Sequence, residues 1–66
     1  MWTAVYITQS RSLADQLQKR LLAEGLLAKL KYVGDKRNPV RNFEIVVPES
    51  EVAEATEVLS NVLVGR

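Results

Sequence analysis

The chain has 66 residues, enough for one small domain that hides only about 60% of the surface its unfolded form exposes, so its stability margin is thin. It contains no Cys and no His, which removes disulfides, cysteine nucleophiles, serine-histidine triads and ordinary zinc sites. Nine Lys and Arg against eight Asp and Glu leave a net charge of +1, which is not the surface of a general nucleic-acid binder.

WTAVYIT, Trp2 to Thr8, is rich in aromatic and β-branched residues and predicts a first strand. Strict alternation puts Thr3, Val5 and Ile7 on one face and Trp2, Ala4 and Tyr6 on the other. Both faces are largely apolar, as in a strand whose second face meets another layer or another subunit. The next stretch, SLADQLQKRLLAEG, predicts a helix. Ser12 caps it, with Asp15 three residues on as a capping box and Ser10 as a rival cap. Leu13, Leu17 and Leu21 form its apolar stripe, and Gly25 supplies the positive φ that ends it.

LLAKLKYV, Leu26 to Val33, alternates with Ala28, Leu30 and Tyr32 on one side and Lys29 and Lys31 on the other, and predicts strand two. NFEIVVP predicts strand three, with Phe43, Ile45 and Val47 on one face and Glu44 and Val46 on the other. Pro48 donates no ladder hydrogen bond and belongs at the strand's end. The segment between these strands contains Gly34 and Pro39 and reads as a connection of about nine residues, too long for a two-residue turn. ESEVAEATEVLSNVL predicts a second helix capped by Ser50, with Val52, Ala55, Leu59 and Val62 on its buried stripe. The tail Leu63-Val64-Gly65-Arg66 either frays or adds to a sheet edge.

The order β-α-β-β-α predicts an α+β two-layer sandwich of ferredoxin-like type over residues 1–66. Strand three lies between one and two, giving sheet order 1-3-2, both helices cover one face, and the fourth strand is missing or vestigial. The edge beside strand one is then open, which points to a homodimer formed by edge pairing or by packing the open faces bearing Trp2, Tyr6 and Val46. That sheet-face aromatics could stack RNA bases is disfavoured, because Tyr32 and Phe43 fall on the helix-facing side.

From Lys19 to Arg41 there are seven basic and two acidic residues, whereas Glu44 to Glu57 holds five acidic and no basic ones. Within the basic half, Lys29, Lys31, Lys36, Arg37 and Arg41 form the candidate set for an anionic ligand or an acidic partner. Gly34-Asp35-Lys36 lacks the glycine-rich run and GK[ST] ending of a phosphate-binding loop. Asp35 and Glu44 show no sign of burial that would split their acidities, and Glu51, Glu54 and Glu57 look like a solvated helix face, so neither a catalytic pair nor a metal site is expected.

WTAVYIT, the leucine helix ending at AEG, and FEIVVPESEVAEATEVL together resemble small bacterial proteins described as prokaryotic signal-transducing proteins of unknown function. The resemblance implies a reduced PII-like, ferredoxin-like fold. PII-like proteins bind nucleotides and regulate partners through trimers and long loops, a pattern from which the short connection and missing fourth strand depart. The functional expectation is a non-enzymatic regulatory or protein-interaction domain, working as a homodimer without a cofactor. The alternative is a sensor of a small anionic ligand or nucleotide that uses the basic connection. MWTAVYITQS has no basic leader and no stretch nears the roughly 18 apolar residues of a membrane span, so no membrane association and a cytoplasmic location are expected.

Overall fold

The computed structural model describes residues 1–35 and 37–65, and Lys36 lies outside them. The elements are β1 (Trp2–Thr8), α1 (Arg11–Ala23), β2 (Lys29–Asp35), β3 (Asn38–Pro48), a 3-10 turn (Glu49–Glu51) and α2 (Val52–Ser60), followed by a π-helical turn (Asn61–Gly65). β3 is central and antiparallel to both neighbours, so the sheet order is 1-3-2 and α1 crosses between parallel β1 and β2. This is the ferredoxin-like two-layer α+β sandwich with three strands. The tail up to Gly65 is helical and adds nothing to the sheet.

One face of the sheet carries both helices. Leu17 and Leu21 from α1, Ala55 and Leu59 from α2, and Ile45 and Val47 from β3 form the core, joined by Leu26 and Ala28 at the entry to β2. Leu17, Leu21, Ile45 and Val47 are fully buried, each contributing about 1.5–3 kcal/mol from the apolar surface it withdraws from water. The helix stripes read from the sequence are the ones that make this contact.

Helix α1 begins earlier than the leucine pattern implies. Ser10, not Ser12, is its cap: the Ser10 hydroxyl accepts the Leu13 amide at 3.1 Å. The Ser10 amide itself donates to Thr8 Oγ1 at 3.1 Å, which fixes the approach from β1. At the other end Gly25 has φ +89°. Its amide donates to Leu22 and that of Leu26 to Leu21, the paired bonds of a Schellman stop, with Leu21 and Leu26 both buried in the core.

Ser50 does not cap α2 either. The 3-10 turn intervenes, and the residue before Val52 is Glu51, which makes no capping bond. Its Oε1 instead accepts the Leu27 amide at 2.8 Å, tying the start of α2 to the entry of β2.

The nine-residue connection is also corrected. β2 and β3 continue as a paired ribbon to Asp35 opposite Asn38, leaving positions 36 and 37 between the strands. Pro39 is tolerated because β1 ends at Thr8 opposite Phe43, so the far part of β3 has a ladder on one side only. The register slips between Val33 and Asp35, where Gly34 alone on β2 stands against residues 39–41 of β3, so Pro39 falls in the irregular part of the ladder.

A second slip changes the faces of β1. Ala4 pairs with Val46 but Tyr6 pairs with Ile45, so Val5 is an extra residue in a β-bulge. Beyond it the alternation inverts. Val5 and Tyr6 both pack against the core, and Ile7, opposite Glu44, takes the helix-free face with 55% of its surface exposed. Tyr6 is therefore removed from the open-face set predicted with Trp2 and Val46. Val46 does lie on that face, yet it is only 6% exposed. Its neighbour Lys29 places Nζ 4.3 Å from the Trp2 ring centroid, so a side chain from each edge strand meets over β3 and roofs Val46.

Candidate functional site: a cleft under the first turn of α1

The β2–β3 ribbon runs on past the end of β1, and its helix-side face there is only partly covered. The result is a cleft of about 330 Å³ lined by Arg11, Leu30, Tyr32, Arg41 and Phe43. Arg11 is the first residue of α1, and the Ser10 cap sets its position. Leu30 and Tyr32 continue the inward row of β2 that begins at Ala28, and Phe43 continues the row of Ile45 and Val47 on β3. These rows supply core further down the sheet. Beyond the reach of the helices the same alternation produces a cleft wall.

Tyr32 and Phe43 are cross-strand partners with ring centroids 5.7 Å apart and planes at 52°. This tilted arrangement suits the ring quadrupoles and leaves Tyr32 58% exposed. Its ring is aimed by Gly34. A Cβ at that position would lie 2.5 Å from the Tyr32 hydroxyl oxygen and 2.8 Å and 3.0 Å from two ring carbons, so the phenol rests where only glycine leaves room.

The cleft holds two exposed guanidinium groups and no carboxylate. Among the described residues neither Arg11 nor Arg41 forms an ion pair, whereas Arg20 pairs with Glu24 at 3.5 Å, one turn apart on the surface of α1. No acidic residue occupies the first turn of α1, and Asp15, one turn on, forms no ion pair with Arg11. Two guanidinium groups beside an apolar wall can donate bidentate hydrogen bonds to a carboxylate or phosphate.

The basic set read from the sequence is divided by the sheet. Arg41 is in the cleft, whereas Lys29 and Lys31 point to the opposite, helix-free face, Lys29 over Trp2 and Lys31 in register with Glu44. Arg37 is exposed at the turn, and Lys36 lies outside the described residues. Sequence reasoning does not single out Arg11, because a helix started at Ser12 leaves it in a loop. The signal that finds it is Ser10 as the cap, which makes Arg11 the first helical residue. Among the described residues no three His, Cys, Asp or Glu side chains are grouped to hold a metal ion.

No family model matches this chain, and neither does any curated protein or solved structure. Among the described residues no helix is long and apolar enough to cross a membrane.

Proposed function

We propose that this is a non-enzymatic regulatory domain that senses a small anionic ligand, held by Arg11 and Arg41 in the cleft under α1. The observation that carries this reading is the pair of arginines, without ion-pair partners among the described residues, lining one concave site that holds no carboxylate. It relocates the sensing role from the basic connection to the base of the ribbon, and keeps Arg41 as its contact. The regulatory part draws on the resemblance to small bacterial signal-transducing proteins of PII-like fold, and with it a cytoplasmic setting.

Thermal unfolding tests this directly. An anion present at 100 times its Kd adds about 2.7 kcal/mol, which in a domain of this size raises Tm by about 11–22 °C. Inorganic phosphate, acidic amino acids and phosphorylated metabolites form the screen, with Arg11→Ala and Arg41→Ala as controls that abolish the rise. If no anion moves Tm, the sensing reading fails.

A second reading concerns assembly. The helix-free face exposes Trp2, Ile7 and Val33 with no layer over them, which favours a homodimer built on that face and a domain that works through protein contacts.

A further inference from the structure

We infer that the occupant of the cleft is a planar aromatic or heteroaromatic acid, its ring against Tyr32 and Phe43 and its carboxylate or phosphate on Arg11 and Arg41. This deepens the anion-sensing reading and rests on it.

Three of the five lining residues are apolar or aromatic, and a bare inorganic anion would leave that wall unused. The wall is formed by two rings inclined at 52° to each other. Tyr32 lies over Gly34 and packs at a tilt on Phe43, and these two contacts narrow its orientation before a ligand arrives, so less rotamer freedom is lost on binding. A tyrosine more than half exposed and held in this way offers a free ring face next to a tilted neighbour, so an incoming ring can stack on one and meet the edge of the other. A cavity of about 330 Å³ is at the small end for ligand sites, sized for one or two rings with an anionic group rather than a long chain. The charge requirement follows from the lining: guanidinium forks match a carboxylate or phosphate, and no acidic side chain is present to receive a cation.

The experiment titrates the ¹⁵N-labelled full chain with phenyl phosphate, benzoate, cyclohexanecarboxylate, inorganic phosphate and benzyl alcohol. Phenyl phosphate or benzoate is expected to move the amide signals of residues 30–32 and 41–43, and to bind at least tenfold tighter than the other three. Tyr32→Leu should erase that preference while Arg41→Gln weakens every anion. Gly34→Ala, which displaces the Tyr32 ring while leaving the identity of every lining residue unchanged, should act like Tyr32→Leu and serves in its place if that variant does not fold. If cyclohexanecarboxylate or inorganic phosphate binds as tightly as its aromatic counterpart, the ring inference is overturned and anion sensing stands. If benzyl alcohol binds as tightly as the acids, or no compound binds, both readings are overturned.

Discussion

The Glu51 carboxylate and the Leu27 amide are 24 positions apart in sequence and 2.8 Å apart in space. A charged acceptor on a backbone donor that lies outside the sheet ladder joins the start of α2 to the start of β2, so truncation removes a tertiary tie rather than a helix cap. Glu51→Ala should lower unfolding free energy by about 1 kcal/mol and Glu51→Gln, whose amide oxygen still accepts, by less, in urea denaturation. Gly25 makes a separate local contribution. Nothing lies within 4 Å of the place a Cβ would take, so Gly25→Ala measures the backbone cost of φ +89° alone, about 1 kcal/mol. Thermal melts should show a drop of about 4–8 °C for that change, with Gly25→Asn intermediate because asparagine tolerates the left-handed region. Of the two cationic residues predicted on β2, Lys29 is already engaged with Trp2, so Lys29→Gln should leave anion affinity in the cleft unchanged.

At the scale of elements, the bulge in β1 decides which aromatic side chain supports the core. Tyr6→Ser should cost about 2 kcal/mol through lost packing, while Ile7→Ser on the exposed face should stay within about 0.5 kcal/mol, both read from urea midpoints. Unbroken alternation would predict the reverse order. WTAVYIT could not reveal the slip because it is apolar on both faces, and a one-residue shift in such a strand leaves its hydrophobic pattern almost unchanged. The ribbon was obscured differently: Gly34 and Pro39 are turn formers by composition, but here one gives room to a ring and the other sits where β1 no longer pairs. By contrast the leucine stripe of α1, the Gly25 stop, the Ala55 and Leu59 contacts of α2 and the 1-3-2 order were all readable, since each follows from spacing or chain connectivity. The cleft is legible only in part. Arg41, Tyr32 and Phe43 could be assigned to elements, but their meeting with Arg11 depends on where α1 starts and how far the ribbon runs.

At the scale of the molecule, Cα extents of 36 × 29 × 15 Å describe two layers, one of them a sheet with a bare side. Two routes could cover that side or its edge in a dimer, and the structure weighs them unequally. Edge pairing along β1 would have to pass the Val5 bulge, which interrupts the regular ladder a second strand needs. Face packing meets Trp2, Ile7 and Val33 beside Lys31 and Glu44, so a two-fold mate would bring apolar surface together with charges of both signs to set its register. The informative substitution is Ile7→Glu, because Ile7 is outside the core; Val46→Lys would charge a buried position and Tyr6→Glu a partly buried one packed on the core, so both would destabilise the protomer itself. Light scattering over a concentration series should show twice the 7.4 kDa protomer mass, returning to one protomer in Ile7→Glu with its far-UV circular dichroism intact. A Thr3→Pro variant, aimed at the β1 backbone, should affect assembly only as far as it affects folding. A constant 7.4 kDa at every concentration would reject the dimer, and dissociation by Thr3→Pro but not by Ile7→Glu would move the interface from the face to the edge.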